Sequence, residues 1–234
     1  MSGRSERVRG AGCSLAVIAA LSFSIPIAAS ETGQASGPNR ELHFDLRAFR
    51  VVTRDSGPIN YYSVVDQAPM PFIHAAYRPP YETTVLGYPI PEALRKSVAS
   101  MSWKWRTMAL PSGGNECADG NGDSAAVVYV TWKRGLRWYS LKYVWSSVGP
   151  KGATCDRKRN PFRAQDTIIV ESGPPLGEWR SVTLSPDVEF RNHFEGGDHR
   201  ASVPDLIGVG IMSDGDQTKS NSEADYADFV VVQK

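Results

Sequence analysis

The residues best able to do chemistry in this chain are its clustered carboxylates. Glu223-Ala224-Asp225-Tyr226-Ala227-Asp228 places three acids in one short stretch. A retaining glycosidase needs two such groups about 5 to 5.5 Å apart, one as nucleophile and one as acid. Asp228, however, begins the last apolar run, where a solvated strand start accounts for it. Glu171, Glu178, Asp187 and Glu189 add carboxylates, but their spacing singles out no acid/base pair. The sequence contains no Gly-x-Ser-x-Gly elbow for a serine nucleophile. His43, His74, His193 and His199 are scattered and lack zinc-site spacing. These patterns favour a protein that binds without catalysing, and no cofactor is expected beyond a structural ion.

Calcium is the ion that the oxygen-rich turns suit, because it takes several oxygen ligands and tolerates irregular loops. Asp119-Gly120-Asn121-Gly122-Asp123 starts like an EF-hand loop but lacks that motif's sixth-position glycine and twelfth-position glutamate, having Ser124 and Val130 there. Asp214, Asp216 and the Thr218 hydroxyl form a second cluster at alternating positions, and these three are the preferred calcium ligands. Asp and Gly also build ordinary turns, which would explain both stretches without an ion.

Six tryptophans and nine tyrosines offer flat apolar faces for a sugar to pack against. Trp103, Trp105 and Trp132 sit in strongly apolar runs and are expected in the core, whereas Trp138, Trp145 and Trp179 have polar neighbours and are expected at a ligand. Side chains alternate across a strand, so Trp103 and Trp105 share one face and Lys104 and Arg106 the other. That cationic side would meet an anionic ligand through charge-assisted bonds. Carbohydrate or another envelope ligand is therefore the expected partner. A polysaccharide-degrading glycosidase or lyase, and an envelope protein–protein interaction module, are the alternatives.

The elements that must position these groups belong to an exported chain. Arg4, Arg7 and Arg9 precede an apolar run from Leu15 to Ile27, and Ala28-Ala29-Ser30 supplies small residues for cleavage, the three parts of a secretory signal. Residues 1–30 are read as this signal and 31–41 as a flexible lead-in, leaving one domain over 42–234 that lies in the periplasm or outside the cell. The run is too short and too interrupted to span a membrane. Removing residues 1–30 takes away three arginines and one glutamate and moves the formal charge from +1 to −1. Neither that balance nor a long basic run points to nucleic acid. Cys117 and Cys155 are the two cysteines left, and an oxidising compartment favours their pairing as one disulfide.

Short runs rich in Val, Ile, Tyr, Trp and Thr, separated by Gly, Pro, Asp and Asn, predict an all-β, antiparallel, jelly-roll-like sandwich with short peripheral helices. Strands are expected near 59–65, 72–77, 98–109, 125–133, 137–147, 165–172, 178–184, 206–213 and 226–233. Helical pieces are expected at Pro91 to Ser97 and Pro186 to Phe194, each opened by a proline suited to a first turn. Ala125 to Trp132 is apolar on both faces and suits a central strand. The sequence gives no sign of oligomeric state.

An ordered set of motifs then becomes recognisable. It runs from Trp103-Lys104-Trp105-Arg106 and Leu110-Pro111 through Gly122-Asp123-Ser124-Ala125-Ala126 and Tyr143-Val144-Trp145 to Glu171-Ser172-Gly173 and Leu176-Gly177-Glu178-Trp179. It closes with Gly208 to Thr218 and Ala224-Asp225-Tyr226-Ala227-Asp228-Phe229. Over most of residues 42–233 the chain resembles the secreted bacterial family of domain of unknown function 3047. The resemblance implies a single β-sandwich and brings no established activity or catalytic residues. Two departures are Gly122, where the pattern has an acid beside Asp123, and the Cys117/Cys155 pair. The tail, an apolar strand followed by an Asp-x-Asp-x-Thr turn and a closing Asp-Phe-Val-Val strand, also looks like the end of jelly-roll carbohydrate-binding modules, a likeness of fold.

Overall fold

The computed structural model describes residues 41–52 and 60–234. The signal and nearly all of the lead-in expected over 1–41 lie outside the described residues, as does residue 59 of the first expected strand. Among the described residues the strands are β1 (Glu41–His43), β2 (Arg50–Val51), β3 (Tyr62–Val65), β4 (Phe72–Tyr77), β5 (Val85–Pro89), β6 (Val98–Ala109) and β7 (Ala126–Arg134). They continue with β8 (Arg137–Ser146), β9 (Thr154–Arg159), β10 (Arg163–Ser172), β11 (Arg180–Leu184), β12 (Asp205–Met212) and β13 (Ser222–Gln233), with one α-helix, α1 (Pro186–Phe194), between β11 and β12. Each expected strand has its counterpart within a few residues. The expected helix at Pro186 forms in full, whereas the one at Pro91 shortens to a single 3-10 turn, Glu92–Leu94.

Two sheets stack face to face. One is ordered β11-β6-β13-β4-β3, with β1 paired to β13 beyond the end of β4; the other is ordered β2-β5-β12-β7-β8-β10-β9. Every pairing is antiparallel except β8 with β10, which run parallel because β9 returns the chain between them along the outer edge. The all-β sandwich therefore stands, with one parallel pair in place of a wholly antiparallel one. Alternation decides what fills the space between the sheets. Trp103 and Trp105 of β6 and Trp145 of β8 meet there, with Trp105 edge-on to Trp103 at 5.8 Å and to Trp145 at 6.2 Å. Ring pairs at these separations favour edge-to-face geometry, and truncating any one of them costs about 3–5 kcal/mol. Helix α1 closes one end of this core by placing Phe190 against Trp132 and Tyr139.

β7 is central in its sheet, as its two apolar faces predict. Its inward residues join the main core, while Val127 joins Val144, Ile169 and Met212 in a smaller apolar cluster on the opposite face. The loop between β6 and β7 is tied to β9 by a disulfide between Cys117 and Cys155, with 5.4 Å between their Cα atoms. The strands not expected were β1, β2, β5 and β9. β9 is a mostly exposed Thr-Cys-Asp-Arg-Lys-Arg edge, polar enough to read as a loop. β5 carries Gly87, where a Cβ would stand 3.1 Å from Val52, so the residue that breaks the strand pattern is the one that lets β2 approach.

Candidate functional site

On the outer face of the six-strand sheet, register lines up groups that are far apart in sequence. β13 sends Ala224 and Tyr226 inward and Asp225 outward; β4 does the same with Ile73 and His74, and β6 with Trp105 and Arg106. Asp225 is directly opposite His74 on one side and Arg106 on the other, and Ser63 of β3 is opposite His74. On the far side, β11 pairs Arg180 with Trp105, which brings Trp179 beside Arg106. The result is a transverse row of Ser63, His74, Asp225, Arg106 and Trp179.

The row is tightly bonded. Arg106 Nε donates to Asp225 Oδ2 at 2.7 Å, and His74 Nδ1 lies 2.7 Å from Asp225 Oδ1. The Asp225 side chain is only 2% exposed, so both bonds act in a poorly solvated setting where charge-assisted bonds are strong. The Arg106 guanidinium sits 4.7 Å from the centre of the half-buried Trp179 ring and 5.2 Å from that of Phe72. One row along, Lys104 Nζ is 2.9 Å from Asp228, which a register irregularity in β13 turns outward with a φ of +53°. Glu223, the remaining acid of this stretch, pairs with Arg78.

Lys104, Arg106 and Trp179 are thus brought together on one face, but that face is not the bare cationic surface expected, because each cation has a carboxylate. Sequence reasoning treated Asp225 only as a catalytic acid, weighed His74 only as a zinc ligand and did not single out Phe72, although outward alternation in β4 and β13 was the signal for all three. The acids of Glu223 to Asp228 are each engaged in an ion pair.

The other expected ligand tryptophans lie elsewhere. Trp145 is corrected: it is 1% exposed, its Nε1 donates to the Gly173 carbonyl at 2.8 Å, and it packs between the sheets where no ligand reaches. Its polar neighbours are the outward positions of the same strand. Trp138 lies half-buried on the outer face of the seven-strand sheet, with Lys133 Nζ 4.7 Å from its ring centre.

A second polar constellation forms where β12 ends against the start of β7. Met212 pairs with Val127, and Asp214 N continues the ladder by donating to the Ser124 carbonyl at 3.1 Å. This juxtaposes Asp123 with Asp214 and Asp216, whose carboxylate oxygens lie within 4.8 Å of one another. Asp123 accepts from the backbone amides of Gln217 at 3.3 Å and Thr218 at 2.6 Å, and Asp214 Oδ1 accepts from Ser124 N at 2.8 Å. The Thr218 hydroxyl lies 2.6 Å from Ser220 Oγ, while the Thr218 amide holds Asp123, which is the third carboxylate of the cluster. The two acidic turns that looked separate in sequence are one site.

Burial and the neighbouring Asp123 raise the Asp214 carboxyl to about 8, and burial with the adjacent Asp123 raises Asp216 as well. Lys142 lies on this outer face, 8% exposed; burial pulls its ammonium down, but Tyr129, Asp214 and Glu116 outweigh that and hold it above its ordinary value. Glu116 accepts from the Ser124 hydroxyl and sits beside Cys117, so the disulfide holds this loop over the cluster. Three crowded carboxylates with few donors can hold a hard metal ion.

Fold and site together define a two-sheet β-sandwich with a bonded polar row on one outer face and a carboxylate cluster at the edge of the other. The chain belongs to the family described as a protein of unknown function, DUF3047, whose profile matches residues 58–230. No curated protein matches the sequence. Among solved structures it is similar to the family 11 carbohydrate-binding module of the cellulosomal cellulase Lic26A-Cel5E of Clostridium thermocellum, with 7% identity, a TM-score of 0.38, and coverage of 88% of this chain and 91% of that one. The xyloglucanase domain of NopAA, a type three effector from Sinorhizobium fredii, in complex with cellobiose, has 11% identity and a TM-score of 0.45, covering 86% and 100%. The Trichoderma harzianum endoglucanase 3 from family GH12 has 11% identity and a TM-score of 0.43 with the same coverages. These likenesses are too distant to carry a functional argument.

Proposed function

We propose that this chain is an exported, non-catalytic β-sandwich that binds carbohydrate on the outer face of the six-strand sheet, with a calcium ion at Asp123, Asp214 and Asp216 as a structural support. The observation that carries the reading is the transverse row: planar polar groups of His74, Asp225 and Arg106, locked by their mutual bonds, end on the half-buried Trp179 ring. Sugar hydroxyls exchange bonds with fixed planar donors and acceptors, and their C–H faces pack on indole rings. Because Lys104 and Arg106 are each matched by a carboxylate, the face suits a neutral saccharide better than an anionic one. The disulfide and the Arg-rich start followed by an apolar run support export to an oxidising compartment.

The test is incubation with a panel of neutral and anionic polysaccharides, scoring retained protein and newly released sugar ends together. Retention without release, lost in Trp179→Ala and kept in the core variant Trp145→Phe, is the expected result. Release of ends would replace the binding reading with an enzymatic one. Retention unaffected by Trp179→Ala would remove this face as the site.

A further inference from the structure

Two short basic stretches that are separate in sequence become neighbours at one end of the seven-strand sheet. The turn between β7 and β8 carries Lys133, Arg134, Leu136, Arg137 and Trp138, and the turn between β9 and β10 runs Arg157-Lys158-Arg159-Asn160-Pro161-Phe162-Arg163. Because β8 and β10 are parallel, both strands begin at this end: Arg163 is opposite Trp138, and Trp138 N donates to the Phe162 carbonyl at 2.8 Å. Neither turn contains an acid. Arg134, Lys158 and Arg159 are paired, with Glu195, Asp156 and Asp166, whereas Lys133, Arg137, Arg157 and Arg163 have no carboxylate in ion-pair range among the described residues.

Between these cations the two turns raise bare apolar side chains. Leu136 is 79% exposed and Phe162 65%, and the half-buried Trp138 follows two positions after Leu136 in the same hairpin. Leu136 and Phe162 stand at the tips of adjacent turns, where no fold requirement calls for an apolar residue; exposed apolar groups that cluster mark a contact surface. A polyanion alone would be served by the cations and would gain nothing from an exposed leucine and phenylalanine. An anionic bilayer uses both, since acyl chains receive the apolar tips, indole rings favour the headgroup level, and Lys/Arg meet the headgroup phosphates.

We propose that this end of the sheet docks peripherally on a phospholipid surface bearing anionic headgroups, with Leu136 and Phe162 inserted and Lys133, Arg157 and Arg163 against the phosphates. The surface is remote in the strand order from the Trp179 row and operates whether or not that row binds sugar.

The experiment is co-sedimentation of the purified protein with vesicles of phosphatidylcholine mixed with phosphatidylglycerol, and with vesicles of phosphatidylcholine alone. Wild-type protein is expected to pellet with the anionic vesicles only. Leu136→Ser with Phe162→Ser, both exposed positions that leave the fold intact, should weaken that partitioning at least about tenfold, and Arg157→Gln about fivefold. Circular dichroism confirms folding of each variant. Absence of pelleting with the mixed vesicles overturns the proposal. So does pelleting that is unchanged in the serine pair, and a serine-insensitive retention on heparin without vesicle binding would assign the end to a polyanionic chain instead.

Discussion

Arg106 Nε bonds Asp225 Oδ2 at 2.7 Å across two adjacent strands, and the carboxylate it holds is 2% exposed. The pair sits at the centre of the proposed ligand row, so stability and recognition are joined in one contact.

Removing the guanidinium leaves a buried carboxylate with only His74 to meet it. Arg106→Ala should therefore destabilise the fold by about 3 kcal/mol, read as a lower urea midpoint without a change in slope. The double variant Arg106→Ala with Asp225→Ala should recover part of that loss, because the uncompensated charge goes with its partner. A single and double variant of equal stability would show that the charge is not what the arginine satisfies.

The carboxylate cluster makes stability depend on pH in the direction opposite to ordinary acid denaturation. Asp214 is raised to about 8 from a reference of 3.8, and Asp216 is raised too, so the folded state holds protons that the unfolded chain has released. Stability from these groups is greatest below the unfolded value and falls as pH climbs toward 8. In a chelator-containing buffer the melting temperature should decline between pH 5 and 8, and millimolar calcium should restore it by favouring the ionised forms. Asp214→Asn should flatten the decline and abolish the calcium effect. A calcium response that survives Asp214→Asn would place the ion elsewhere.

Much of this was legible in the sequence, and what was not has a physical cause. Alternation in β6 separated Trp103 and Trp105 from Lys104 and Arg106, because a strand with one buried face must alternate. Its polar neighbours misassigned Trp145, since β8 is covered on both faces at that end and neighbours such as Lys142 are themselves buried. Pairing is what a single sequence hides. Asp123 lies 91 positions before Asp214, yet the β12–β7 ladder makes them neighbours. The carboxylates facing Lys104 and Arg106 are supplied by β13, more than a hundred residues away, and the two basic turns meet only because β9 makes β10 parallel to β8. The disulfide was foreseeable once Cys13 was assigned to the signal, but Cys155 lies in the edge strand β9 where the sequence reads as a loop.

That disulfide carries the last expectation. Cys117 and Cys155 are 38 positions apart, and closing a loop of that length is worth about 3–4 kcal/mol through the unfolded chain. Reduction, or Cys117→Ala with Cys155→Ala, should lower the denaturation midpoint accordingly. It should also weaken calcium more than a global loss of stability would, because Glu116, next to Cys117, bonds the Ser124 hydroxyl, and the Ser124 amide bonds Asp214. The check is calcium titration of the folded double-alanine protein at low temperature, where unfolding does not compete. An unaltered affinity would mean that the strand ends alone position the cluster, and that the bridge serves only to restrain the unfolded chain.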